Sequence, residues 1–280
     1  MAKLRILFLG NNWVGWKVLQ WLRDQGENIV GLVIHPPHKQ RFGAEIVKVF
    51  GSNRAAVFDG SKLGDPHILQ AIASLRPDVG VSVYFGYVLR RDFLALFPSG
   101  VINLHPAYLP YNRGCYPNVW SIVDGTPAGV SIHYVDEGID TGDLVAREQV
   151  EVEPIDTGES LYRKLETAAL SLFQRTWPLI RAGQAPRIPQ QSLGGDGTYH
   201  RRSDVERIDA IDLDRTYQAH ELINILRART FPPYPGAYFV AGGRKVYLRL
   251  QLYYEDEHTP HDSAAWGLNP GANRDISTLS

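Results

Sequence analysis

The chain has 280 residues, 29 basic and 30 acidic side chains, a formal charge of −1 and a hydrophobic fraction of 44 %. That length buries a sizeable core and suits one large domain with a smaller appendage; the composition excludes a disordered or fibrous chain, and the balanced charge supplies no global field for nucleic acid or anionic lipid. Its single cysteine, Cys115, excludes an internal disulfide and most cysteine-based metal sites, and points to a reducing, cytoplasmic compartment.

The opening MAKLRILFLG carries a short apolar run that leads into GNNWVGWKVLQWL without a small-residue cleavage site. It therefore reads as a first buried strand over 4–9, not as a secretion signal. Residues 14–22 have helical spacing, with Val14, Val18, Trp21 and Leu22 on one side. A second strand follows at 29–34, then a helix within 66–75, and strands at 79–84 and 100–104. Strands that are apolar throughout, separated by helices, predict a mostly parallel sheet covered on both faces, so the fold class is Rossmann-like α/β. Ligands bind such sheets at the carboxyl ends of the strands. No apolar run is long enough to span a bilayer, so no membrane association is expected.

The stretch GVSIHYVDEGIDTGDLVAREQVEV has strand character broken by an acidic turn. A helix is predicted over 158–179 with Thr157 as its N-cap. The Gly-, Pro- and Gln-rich segment that follows marks a boundary. Beyond it come a helix near 215–229, the turn-rich FPPYPGAYF and a hairpin through GGRKVYLRL. The predicted organisation is a catalytic domain over 1–180, a linker over 181–199, a small α+β subdomain over 200–255 and a mobile tail over 256–280.

The first chemical signal is VINLHPAYLPYNRG, which sets Asn103 and His105 two apart at a strand end, on the same side. Asparagine can donate to a developing oxyanion, and histidine can exchange a proton near neutral pH. Alone, the pair also fits a hydrogen-bonded strand terminus. Pro106 and Pro110 stiffen the next loop and Arg113-Gly114 turns it, as a loop of fixed shape beside a ligand requires. The second signal is DEGIDTGD, with Asp136, Asp140 and Asp143 in a loop containing Gly138 and Gly142. It is either a solvated acidic turn or the carboxylate partner of His105, which would orient the ring and favour its imidazolium. The longer loop and terminal Glu of an EF-hand are missing, and no metal is expected.

Together, INLHPAYLP, DEGIDTGD and the upstream RPDVGVSVYFGYVL resemble the folate-dependent formyltransferase family, which includes glycinamide ribonucleotide transformylase, methionyl-tRNA formyltransferase and the sugar N-formyltransferases. The likeness covers residues 3–180 strongly and 200–250 more loosely. It implies that Asn103, His105 and Asp140 are the catalytic set, with a protonated His105, and that N10-formyltetrahydrofolate is the co-substrate. It also implies that Phe85, Gly86, Tyr87, Val88 and Leu89, with Val135, Asp136, Gly138 and Asp140, wall the folate pocket.

Three segments sharpen the resemblance toward the sugar N-formyltransferases that act on nucleotide-linked amino deoxysugars. GNNWVGWKVL contributes Asn11, Asn12 and Trp13, HPPHKQRFGAEI forms a compact basic loop with Lys39 and Arg41, and HPAYLPYNRGCYPNVWSI contributes Tyr108 and Arg113. Amide and basic groups there would meet sugar hydroxyls or a pyrophosphate. Helix packing accounts equally well for Trp13, and a solvated loop for Lys39 and Arg41. Tyr234 would stack on a base or pack on the sheet. A tRNA acceptor is the alternative, since ELINILRARTFPPYPGAYF resembles the start of the second domain of the tRNA enzymes; the short patterned remainder and the absence of a basic cluster speak against nucleic acid. Hydrolysis of formyltetrahydrofolate and a non-catalytic folate-binding module also remain open. GAYFVAGGRKVYLRL offers either a homodimer surface or a satellite core.

Overall fold

The computed structural model describes residues 3–51, 53–195 and 197–257. The tail expected to be mobile lies, from residue 258 on, outside the described residues. The first half winds through β1 (Arg5–Gly10), α1 (Asn12–Asp24), β2 (Asn28–Ile34), α2 (Gly43–Phe50), β3 (Val57–Asp59), α3 (Pro66–Ser74), β4 (Val79–Val83), α4 (Arg91–Leu94) and β5 (Val101–His105). The chain continues through β6 (Arg113–Gly114), α5 (Pro117–Val123), β7 (Ala128–Tyr134), β8 (Leu144–Val150), α6 (Gly158–Arg181) and β9 (Tyr199–His200). Helices α7 (Val205–Asp209) and α8 (Ala219–Ala228) and the hairpin β10 (Tyr238–Ala241) and β11 (Arg244–Tyr247) complete it.

Seven strands form one sheet in the order β3-β2-β1-β4-β5-β7-β8. The first five are parallel, β7 runs antiparallel to β5, and β8 runs antiparallel to β7. Alternation along β1 explains the two covered faces: Ile6 and Phe8 enter the larger core under α1, α2, α5 and α6, and Leu7 and Leu9 enter the smaller one with Ile72, Phe93 and Phe97. Burying Leu or Phe side chains such as these contributes about 1.5–3 kcal/mol each. The predicted cap of α6 is present as a reciprocal pair, Thr157 accepting from the Ser160 N–H and Ser160 from the Thr157 N–H, a device whose loss costs about 1 kcal/mol.

Two local expectations change. The loop read across 35–46 ends at Phe42, because Ile46, Val47 and Phe50 share a buried face and start α2 at Gly43. The helix expected over 215–229 begins only at Ala219. Helix α8 docks through Arg227, whose buried guanidinium donates to the carbonyls of Glu153, Pro154 and Asp156. Those acceptors lie just before α6, so the C-terminal region is tied to the domain that bears the sheet. Beside them the buried Asp156 accepts from Lys164 Nζ at 2.8 Å. Among the described residues no helix is long and apolar enough to cross a membrane.

Candidate active site

The antiparallel pairing of β5 with β7 sets Asn103 opposite His133 and His105 opposite Ser131. Asn103 Oδ1 accepts from Ser82 Oγ at 2.9 Å, and Asn103 Nδ2 lies 3.1 Å from His133 Nε2. His133 Nδ1 sits 2.8 Å from the Tyr134 carbonyl, which can only accept. His133 Nδ1 therefore carries a proton, and with the ring neutral Nε2 accepts from the Asn103 amide, which leaves a second Asn103 amide hydrogen to donate elsewhere. Ser82 and His133 together fix which way the amide faces.

Asp140 reaches this corner from the acidic glycine loop. Its two oxygens bridge the two rings: Oδ2 lies 3.5 Å from His105 Nε2 and Oδ1 lies 3.5 Å from His133 Nε2. The Gly114 N–H donates to Oδ2 at 2.9 Å. Asp140 adopts φ 54°, a left-handed conformation that aspartate enters more readily than most residues other than glycine. Gly142 is constrained, since a Cβ there would stand 1.9 Å from the Tyr134 carbonyl oxygen.

The electrostatics differ for the two partners. Burial would raise Asp140, but the His105 and His133 rings and the Gly114 N–H outweigh it and hold the carboxyl well below the usual carboxylate range. His105 is 8 % exposed, and burial lowers its pKa below the ordinary 6.5 against the pull of Asp140, with the neighbouring His133 also lowering it. Burial thus opposes the protonated ring implied by the family resemblance, while Asp140 favours it. His105 Nε2, buried and without a hydrogen-bond partner, lies 3.5 Å from Asp140 Oδ2. This geometry can accept a proton from a nucleophile and stabilise the resulting imidazolium, while the spare Asn103 N–H meets negative charge growing on an oxygen.

The segments expected to wall a cofactor pocket flank this corner. Phe85 and Tyr87 pack edge-on around His35, 5.1 and 5.0 Å between ring centroids, and Gly86 N–H donates to His35 Nε2 at 3.1 Å. Val88 is exposed, whereas Leu89 is buried in the smaller core and Val135 packs against it. Asp136 caps its own loop, accepting from Gly138 N–H at 3.0 Å and Thr141 Oγ1 at 2.7 Å.

The expected acceptor groups fall into two kinds. Asn11 is buried, donates toward the Lys39 carbonyl and accepts the Arg41 N–H at 2.8 Å, so its amide holds the 35–41 loop. Asn12 bonds Tyr162 of α6, Trp13 packs against the larger core, and Tyr108 lies under Arg147 at 4.3 Å. Arg113 forms β6 beside β9. Lys39, Arg41 and Tyr234 are exposed, with Lys39 over Tyr87 at 5.5 Å and Arg41 over Tyr234 at 5.0 Å. Sequence reasoning missed His133, Gly114 and Gln190. The histidine of SIHYVDEGID was visible as a residue type, but its value depends on the β5–β7 register. Gln190 sits in the segment read as a linker and donates to the carbonyls of Asp140 and Gly142. Among the described residues no group of three or more His, Cys, Asp or Glu side chains is placed to hold a metal ion.

Residues 4–176 match the family described as Formyl transferase. The chain belongs to the formyl transferase family. Its residues 204–254 match the N-formyltransferase dimerization C-terminal domain. The methionyl-tRNA formyltransferase of Syntrophus aciditrophicus is 32 % identical over 254 residues, which cover 88 % of this chain and 78 % of that protein. Among solved structures, a 4-N formyltransferase from Francisella tularensis superposes with a TM-score of 0.76 at 26 % identity, covering 90 % of this chain and 98 % of that one. The formyltransferase PseJ of Anoxybacillus kamchatkensis, solved with UDP-4,6-dideoxy-4-formamido-L-AltNAc and tetrahydrofolate, has a TM-score of 0.51 at 29 % identity over 72 % of this chain and 88 % of that one. The formyltransferase fold, a mostly parallel sheet with a small C-terminal region, is therefore that of the family.

Proposed function

We propose that the chain transfers the formyl group of N10-formyltetrahydrofolate to the amine of a nucleotide-linked amino deoxysugar. The observation that carries the reaction is the linked set Asn103, His133, Asp140 and His105 at the carboxyl end of β5. The unprotonated amine attacks the formyl carbon, and charge gathers on the formyl oxygen, where the free Asn103 N–H donates to it. His105 Nε2 takes the proton that the amine loses, and Asp140 stabilises the imidazolium. The bond from the formyl carbon to N10 then breaks, N10 takes the proton held by His105 as the formamide leaves, and the imidazole returns to its starting state. His105 begins neutral in this sequence, unlike the protonated ring that the resemblance implies.

Folate as the donor is supported by tetrahydrofolate in the PseJ structure and by the aromatic loop of Phe85 to Tyr87 beside the corner. A sugar acceptor is supported by the likeness to the Francisella 4-N formyltransferase over nearly all of that protein, and by the ligand of PseJ. The match of residues 204–254 to a dimerization domain supports a homodimer through the C-terminal hairpin, whose Val240, Val246 and Tyr247 are exposed. Asn12, Lys39, Arg41, Tyr108, Arg113 and Tyr234 form the acceptor side of the proposal, in a cytoplasmic protein with a free thiol at Cys115. A dTDP-linked 4-amino or 3-amino sugar, used in building cell-surface polysaccharide, is the class we favour.

The tRNA acceptor is the second reading, because the relatives matched across most of this chain are named methionyl-tRNA formyltransferases. A panel of dTDP- and UDP-linked amino sugars, run with N10-formyltetrahydrofolate beside charged initiator tRNA, separates the two. A sugar nucleotide heavier by one formyl group by mass spectrometry is the expected result. Formylated methionyl-tRNA with every sugar unchanged would replace the acceptor, and formate release without an amine would point to hydrolysis.

A further inference from the structure

We propose that Gln190 is a positioning residue for Asp140, and that residues 188–195 and 197–200 form a strap that sets this carboxylate from two sides. The inference rests on the reading of Asp140 as the partner of His105. Gln190 lies between the two regions that match known domains, 4–176 and 204–254. Its side chain is nevertheless 95 % buried, being 5 % exposed. It uses Nε2 twice, donating to the Asp140 carbonyl at 2.9 Å and to the Gly142 carbonyl at 2.8 Å. Both amide hydrogens are thereby committed to the one turn that must hold Asp140 at φ 54°. Its Oε1 is buried without a partner, so the amide is retained for its donors.

The strap is fixed at both ends. Upstream, Ile188 and Leu144 exchange N–H to carbonyl bonds of 2.8 and 3.0 Å, which pins the strap to β8 just past the acidic loop. Downstream, Thr198 Oγ1 accepts the Asn112 N–H at 2.7 Å and donates to Asn112 Oδ1 at 3.0 Å, and the Thr198 carbonyl accepts the Arg113 N–H at 3.0 Å. The Cys115 N–H reaches the His200 carbonyl at 2.9 Å. Between those contacts stands Gly114, whose N–H binds the Asp140 carboxylate. One end of the strap thus holds the main chain of Asp140, and the other holds the donor to its side chain. Removing either should let the carboxylate drift by a fraction of an ångström, which is enough to weaken a positioned proton transfer.

The test compares Gln190→Met, which keeps length and removes both donors, with Thr198→Ser, Thr198→Val and Asp140→Asn. Turnover is measured with N10-formyltetrahydrofolate and dTDP-4-amino-4,6-dideoxyglucose, and protonation of the Asp140 carboxyl is followed by carbon NMR as the pH is lowered from about 6 to the onset of acid unfolding. Gln190→Met should lower kcat roughly tenfold to a hundredfold with both KM values nearly unchanged. The Asp140 titration should move to higher pH, since its donors loosen. Thr198→Ser, which keeps the hydroxyl, should retain activity that Thr198→Val loses. Wild-type kcat and an unmoved Asp140 titration in Gln190→Met overturn the inference while Asp140→Asn is inactive. A rise in both KM values alone, marking general loosening, also overturns it. Full activity of Asp140→Asn would instead remove the reading on which the inference rests. Should Gln190→Met not fold, equal activity of the two Thr198 variants overturns the strap.

Discussion

The corner between β5 and β7 and the rim formed by the 35–42 loop and residues 231–234 border the same edge of the sheet on different physical terms. In the corner, Ser82, Asn103, His133, Asp140 and Gly114 are joined by contacts of 2.9 to 3.5 Å, and Asn103, His133 and His105 ride on paired strands. At the rim, Arg41, Phe42 and Tyr234 are exposed, and Arg41 meets Tyr234 as a cation over a ring at 5.0 Å. A buried polar network has few arrangements that satisfy it, whereas an exposed rim tolerates many. On the proposed function, the reaction would be held by the corner and the choice of acceptor left to the rim.

If that division is correct, substitutions in the two regions should separate in kinetics. The largest effect should come from Asp140→Asn and His105→Ala, each lowering kcat by roughly a thousandfold or more while the protein stays folded, by steady-state assay and calorimetry. Asn103→Ala should follow at about a hundredfold, and part of that loss reflects a His133 ring released from its partner. Next, the pH profile of kcat/KM should rise through a pKa below 6.5 and then level. The sign follows from His105: below that pKa it is an imidazolium and cannot accept the proton of the amine. Smaller still, Arg41→Ala and Tyr234→Ala should raise the KM for the acceptor severalfold with kcat and the KM for folate retained. A comparable fall in kcat at the rim would dissolve the distinction between the two regions.

The smallest effect concerns stability. Asp140 has a folded pKa below its unfolded value, so its contribution is present above about pH 4 and is lost as pH falls through the folded pKa. Thermal melts of Asp140→Asn should accordingly show a weaker acid-side decline than the wild type.

The same contrast explains what was legible in the sequence. Asn103 and His105 could be read because a strand alternates with a period of two, and Asp140 because its glycines announce a tight loop. The parallel sheet was legible from β1, β2 and β4, which are mostly apolar along their length and not alternating. The short β3 was not, since only Phe58 in it is buried. His133 becomes meaningful only through the antiparallel register that sets it against Asn103, and no local pattern encodes that register. Gln190 is hidden further, because a Gly- and Pro-rich sequence resembles a connector whether or not it folds back onto a site. The electrostatics of His105 were legible only in part for a related reason: the nearby carboxylate could be guessed, but the burial that opposes it could not.

The central claim is that this corner moves formyl groups onto a sugar amine with His105 as the base. Its most direct test is a single-turnover reaction of carbon-labelled N10-formyltetrahydrofolate with dTDP-4-amino-4,6-dideoxyglucose, comparing the wild type with His105→Ala across pH. The account predicts label on the sugar nitrogen, a rate that rises with pH through a pKa below 6.5 in the wild type, and a rate in the variant that is at least about a hundredfold lower. Label transferred at the same rate and with the same pH dependence by His105→Ala would contradict it.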